Sequence, residues 1–133
     1  SASRKDTKTL DMMIKNLFRS VKHAIHGIWL VFRYEQNFRI HCVAALCVIA
    51  ALIIFQPPKQ EALLVIIVII SILVLEIINS VLERLIDVLK PRLHHQVKII
   101  KDMMAAMVLI ASIGAVVVGA LVFVPYIFEF FIK

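Results

Sequence analysis

Turn-forming residues are scarce in this sequence. Three Gly and four Pro among 133 residues leave little chain for loops, so most of it must lie in regular elements. Cysteine is rarer still. Cys42 and Cys47 stand on different faces of a helix and read as small buried apolar residues, not as a disulfide or a metal pair. No Gly-x-x-x-x-Gly-Lys loop and no Gly-x-Gly-x-x-Gly turn is present, which excludes a nucleotide-binding fold of the soluble type. The chain opens polar and basic, without a short apolar core, so no cleavable signal peptide is expected. His23, His26, His41, His94 and His95 have no metal-ligand spacing, and His94-His95 is expected at the lipid surface.

Apolar side chains dominate instead. They make up 62% of the chain, against roughly 45–50% in soluble proteins. A water-soluble domain this small could not hide so much apolar surface. The expectation is an all-α membrane protein of one domain.

The net charge of +6 could suggest nucleic acid, but no nucleic-acid module is recognisable and the charges alternate along the chain. Eight of the 15 basic residues fall between Arg4 and Arg39, five between Arg84 and Lys101, and only Lys59 and Lys133 elsewhere. This is the positive-inside pattern. It puts the N-terminal region and the Lys90 loop on the cytoplasmic side, and the Pro57-Pro58 turn and the C-terminus outside. That implies a multi-pass membrane protein.

Four segments follow. In residues 9–34, Leu10, Met13, Ile14, Leu17, Phe18, Val21, Ile25, Ile28, Trp29 and Phe32 recur at spacings of three and four. Lys15, Arg19, Lys22, His26 and Arg33 fall largely between them. This predicts an amphipathic helix on the membrane surface, with Trp29 and Tyr34 at headgroup depth; a helix covering the side of the bundle fits equally well. Residues 37–55 form a first span, its length completed by snorkelling of Arg39. Gln56-Pro57-Pro58-Lys59-Gln60 is a polar turn, because paired prolines end a helix. Residues 61–89 form a second span, uncharged from Ala62 to Leu75, and Lys90 to Lys98 a basic loop. Residues 99–131 form the third span, uncharged from Met103 to Phe128. Its Ala111, Ala115 and Gly119 either let another helix approach closely or recur by chance in an Ala-rich run.

The second span carries an anomaly. Glu76, Asn79, Ser80, Glu83 and Asp87 sit at i, i+3, i+4, i+7 and i+11, on one helix face. Glu76 and Glu83 are about 10 Å apart along the axis at 1.5 Å per residue. Each intramembrane carboxylate costs roughly 2.5–3.5 kcal/mol on insertion scales, so the stripe needs a compensating cation, basic residue or proton. Counted from residue 61, Glu76 lies roughly 22 Å down the helix, in the inner leaflet, with Glu83 near the cytoplasmic interface. A lipid headgroup can reach such a stripe from one side and a water-soluble reagent from the other. Glu35, Glu83 and Asp102 could collect oxygen ligands for Mg²⁺, and Lys101 could neutralise phosphate. The bland alternatives are a polar network between helices for the stripe and an interface anchor for Lys101-Asp102.

Several segments resemble one family. Glu76-Ile-Ile-Asn79-Ser80-Val-Leu-Glu83-Arg-Leu-Ile-Asp87 resembles the Glu-x-x-Asn-x-x-x-Glu-x-x-x-Asp signature of the small bacterial diacylglycerol kinases. Lys98-Ile-Ile-Lys101-Asp102-Met-Met-Ala-Ala resembles their third-helix motif. Glu35-Gln-Asn37-Phe-Arg39-Ile-His41 resembles the Glu-x-Asn-x-Arg-Ile-His segment of the undecaprenol kinase branch, and Ser20, Ala24 and Gly27 fit the spacing ahead of it. The resemblance runs from about residue 15 to near the end of the chain. It implies a homotrimer with sites at subunit interfaces and transfer of the ATP γ-phosphate to a lipid hydroxyl. It implies Glu76 as catalytic base, Glu35 and Glu83 as holders of Mg²⁺ with ATP, and Asn79, Lys101 and Asp102 as nucleotide-site or structural positions. Asn16 departs from the pattern, where the family usually has Arg; Lys15 or Arg19 stands nearby.

Undecaprenol is slightly favoured over diacylglycerol as the lipid alcohol. The competing expectations are a proton- or cation-conducting helical bundle, since intramembrane carboxylates also build ion pathways, and a non-catalytic assembly subunit. Acids clustered at one membrane face and the absence of a transporter-like repeat weigh against the first. The second leaves the costly carboxylates unexplained.

Overall fold

In a computed structural model the backbone is described for residues 2–93 and 96–132, and the side chains for residues 7–89 and 96–132. Among the described residues the chain is all-helical, with four helices: α1 (Ala2–Tyr34), α2 (Gln36–Phe55), α3 (Lys59–Leu93) and α4 (Val97–Ile132). It divides into two units, Ser1–Tyr34 and Glu35–Lys133.

The first unit is α1. Within it Ser20 Oγ donates to the Asn16 carbonyl at 3.0 Å and Arg19 Nη2 to Asn16 Oδ1 at 3.3 Å. Arg19 therefore sits on the residue that breaks the family pattern. The Arg33 guanidinium lies 5.7 Å from the centre of the Trp29 ring, and His26 stacks on the same ring. The helix begins before residue 9, earlier than its apolar periodicity.

In the second unit three helices are long and apolar enough to cross a membrane: Gln36–Phe55, Lys59–Leu89 and Val97–Ile132. Of their most apolar stretches only 6%, 11% and 11% is buried. Ile53, Ile70, Val116 and Leu121 point outward, whereas a helix of a water-soluble bundle keeps its apolar stripe inside. Lipid is the solvent this surface suits, and the chain is a membrane protein.

Two junctions set the register. Glu35 is extended (φ −104°, ψ 114°) and precedes α2 without capping it through its side chain, so its carboxylate is free for other partners. Gln56 ends α2 in the left-handed region (φ 48°), its N–H bonding Leu52 O at 3.1 Å. The turn is then shorter than the sequence suggests. Lys59 and Gln60 already belong to α3, and the Pro58 carbonyl accepts the Ala62 N–H at 3.0 Å, a start at which proline loses nothing by lacking its own N–H. At the other junction α3 continues through Pro91 to Leu93, and Lys98 lies in α4. Most of the expected basic loop is therefore helical. His94-His95 lies outside the described residues.

α3 packs against both α2 and α4. At the Phe55 end, Phe55 of α2 meets Phe123, Tyr126 and Phe130 of α4. Tyr126 Oη donates to Glu61 Oε2 of α3 at 2.9 Å, so one aromatic cluster ties all three helices together. Between the helices lies a cavity of about 110 Å³ whose lining includes Ala44, Val48, Ile72, Ala115 and Gly119, with His41 its only polar residue. The small residues of α4 thus open onto a space: a Cβ at Gly119 would meet nothing within 4 Å.

Candidate active site

The acidic stripe grades from interior to surface. Glu76 and Ser80 are 3% and 1% exposed. Asn79 and Glu83 are half-buried, and Asp87 is exposed. The gradient follows from α3 continuing past the part of the bundle that covers it.

α2 supplies the partner of the deepest carboxylate. His41 Nε2 lies 3.0 Å from Glu76 Oε1. The approach is close but not aligned as a hydrogen bond, and Glu76 Oε1 and Ser80 Oγ remain buried without a hydrogen-bond partner. Such groups are rare in native interiors, and each calls for an explanation. The histidine is a site residue that spacing alone did not find. The available signal was a histidine inside one apolar span and an intramembrane glutamate in the next, since ionisable groups within a membrane tend to pair.

Around this pair the structure gathers further groups. The charges of Glu35 and Glu83 both act on Glu76. Asn79 Nδ2 donates to Glu83 Oε1 at 3.3 Å. Arg84 Nη2 stands 3.7 Å from Glu35 Oε1, a contact the sequence reading did not anticipate. Of the expected residues, Glu76, Asn79 and Glu83 share one face of α3, with His41 and Ser80 added, and Glu35 is tied to α3 through Arg84, the neighbour of Glu83 in sequence. Lys101 belongs to a second pair: its Nζ donates to Asp87 Oδ1 at 3.0 Å, joining α4 to the exposed end of α3. Asp102, its neighbour in sequence, is exposed.

Glu35 and Glu83 are oxygen donors of the kind a hard divalent ion takes. Among the described residues no three His, Cys, Asp or Glu side chains form a metal cage by themselves. The donor set fits Mg²⁺ held by a few carboxylates together with phosphate oxygens, the usual manner for that ion. Chemically, the arrangement joins a buried carboxylate able to take a proton to half-buried carboxylates able to hold a cation.

The chain has relatives among known proteins. A family model described as prokaryotic diacylglycerol kinase matches residues 22–123. The chain is 32% identical over 111 residues to a diacylglycerol kinase of Synechocystis sp., covering 83% of this chain and 63% of that protein. It thus spans less than two thirds of that relative. It is 28% identical over 120 residues to an undecaprenol kinase of Bacillus subtilis, covering 90% of this chain and 98% of that protein. No solved structure matches.

Proposed function

The chain belongs to the prokaryotic diacylglycerol kinase family, and from that footing we propose that it transfers the γ-phosphate of ATP to the hydroxyl of a membrane lipid, with Mg²⁺ as cofactor. The observation that carries this reading is Glu76: a carboxylate 3% exposed, in the middle of an apolar helix, with one oxygen left without a hydrogen-bond partner. A group so costly to bury is explained by a substrate proton it must take.

In this mechanism the lipid hydroxyl meets Glu76, which removes its proton as the oxygen attacks the γ-phosphorus. Phosphoryl transfer is mainly positioning and charge neutralisation. Glu35 and Glu83 would hold Mg²⁺, which when bound neutralises phosphate oxygens. Asn79 orients Glu83 through its 3.3 Å hydrogen bond. Lys101 adds positive charge for the nucleotide, and Asp102 completes the nucleotide site.

Undecaprenol is favoured slightly over diacylglycerol. The Glu35–His41 segment supports this, and so does the Bacillus subtilis undecaprenol kinase, which the chain matches over 98% of that protein's length. The working form in this reading is a homotrimer in a bacterial inner membrane, with the site on the cytoplasmic side. α1, with basic residues between its apolar positions, is in this reading a membrane-surface helix. A proton- or cation-conducting bundle would need polar groups through the whole span, yet between Glu61 and Glu76 α3 offers only Ser71, whose hydroxyl is bonded to the Ile67 carbonyl at 2.8 Å.

The test is direct. Protein purified in lipid receives Mg-ATP with undecaprenol or with diacylglycerol, beside a Glu76→Gln variant. Phospholipid product that vanishes in the variant supports the reading. No product from either lipid overturns the kinase assignment, and full activity of the variant overturns Glu76 as base.

A further inference from the structure

Glu76 faces a difficulty that its burial creates. After each transfer it holds the proton taken from the lipid hydroxyl. At 3% exposure it has almost no surface through which to return that proton to water. Until it does, it cannot act again.

His41 resolves this. Its Nε2 is 3.0 Å from Glu76 Oε1, at the roughly 2.6–3.2 Å distance of proton-transfer pairs, whose alignment is often completed only when substrate is bound. Its side chain is 25% exposed against 3% for Glu76, so the imidazole is the more accessible of the two groups. It stands on the second turn of α2, about 9 Å from Glu35 at 1.5 Å per residue, near the end at which the stripe becomes exposed. An imidazole ring can accept a proton on one nitrogen and donate one from the other. The other charges acting on Glu76 are Glu35, before α2, and Glu83 on α3. Both are carboxylates assigned here to the cation, so neither is free to carry the proton away.

We propose that His41 is the proton relay of the reaction, a residue that acts through Glu76 and not on the substrate. The proposal rests on the kinase reading above. In the first step the lipid O–H bond breaks, its proton goes to Glu76, the new O–P bond forms and the bond from the γ-phosphorus to the β,γ-bridging oxygen breaks, ADP leaving with that electron pair. In the second step the proton moves from Glu76 to His41 Nε2. His41 then gives it to water, and one proton is released per phospholipid formed. No electrons change hands.

The experiment compares wild-type protein, His41→Ala and His41→Gln in lipid, with Mg-ATP and whichever lipid alcohol the wild type phosphorylates. Retained helicity is checked by circular dichroism. His41→Ala should lower kcat by about 10²-fold, the usual scale of a lost acid–base group, with little change in the lipid KM. Added imidazole should restore turnover, because the vacated ring space adjoins the cavity beside Ala44 and Ile72. His41→Gln fills that space without a proton carrier, so it should be as slow and should not respond to imidazole. Wild-type kcat in His41→Ala overturns the relay. So does a fast His41→Gln enzyme, which would make the residue a spacer. Equal loss in both variants with no response of His41→Ala to imidazole overturns it as well. A wild type that phosphorylates no lipid overturns the kinase reading itself, an outcome visible before any variant is compared.

Discussion

Glu76 and Ser80, one turn apart on α3, are both almost fully buried, and each keeps a side-chain oxygen without a hydrogen-bond partner. The serine is the more telling of the two. A helical serine ordinarily bonds back to the carbonyl four residues earlier, as Ser71 does to Ile67 and Ser20 to Asn16. Ser80 does not, although the Glu76 carbonyl lies one turn behind it. With His41 Nε2 at 3.0 Å from the Glu76 oxygen, these two residues on adjacent turns make a polar spot inside an apolar bundle.

Ser80→Ala should therefore separate stability from activity. The change removes a buried oxygen that has no partner to orphan, and alanine is the better helix former. Thermal unfolding in detergent should show equal or greater stability. Phosphorylation should slow by about tenfold, the value of one hydrogen bond of roughly 1–1.5 kcal/mol to the substrate. An enzyme that is equally fast and equally stable would show that Ser80 meets nothing during turnover.

The Glu61–Tyr126 hydrogen bond should behave in the opposite way. Tyr126→Phe keeps the aromatic contact with Phe55 and removes the 2.9 Å bond, leaving the carboxylate without that donor. The thermal midpoint should fall by roughly a few °C. Catalysis should be unchanged, because Glu61 is about 22 Å from Glu76 along α3 at 1.5 Å per residue. A loss of kcat without a loss of stability would contradict this division between a structural end and a chemical end.

That division explains what could be read from the sequence. The three apolar helices were legible because uncharged runs and paired prolines are one-dimensional signals. The stripe on α3 was legible because one helix fixes the spacing of its own residues. Contacts between helices were not. His41 facing Glu76, Arg84 near Glu35, and Tyr126 reaching Glu61 across 65 positions all depend on the relative depth and rotation of two helices, which periodicity does not fix. The helix ends also moved. α3 runs through Pro91 to Leu93, although a proline there removes a backbone hydrogen bond and crowds the carbonyl four residues back, so the proline did not mark the helix end.

Lys101 and Asp87 give a third test, on binding. Their side chains are 43% and 59% exposed, and such exposed pairs contribute about 0–1 kcal/mol. Asp87→Asn should leave the thermal midpoint unmoved. If Lys101 serves the nucleotide, Lys101→Met should raise the KM for ATP about tenfold, whereas Asp87→Asn, by releasing Lys101, should leave it unchanged or lower it. Equal ATP affinity in all three proteins would reduce the pair to a surface contact.

The cation site makes a prediction with two signs. Glu35 and Glu83 each offer an anionic oxygen, while Arg84 stands 3.7 Å from Glu35 Oε1 and competes for it. At an effective dielectric near 20, a charge a few ångströms away is worth about 1–4 kcal/mol, and partial exposure places these groups at the low end. Glu35→Gln and Glu83→Gln should each raise the Mg²⁺ concentration for half-maximal activity by about tenfold. Arg84→Gln should lower it, by roughly two- to threefold, because Arg84 is 54% exposed and well screened. Titrating Mg²⁺ at saturating ATP reads all three. Shifts of the same sign in all three variants would mean that the substitutions disturb the fold near Glu35, whereas opposite signs are what a cation held by these carboxylates and repelled by the arginine would give.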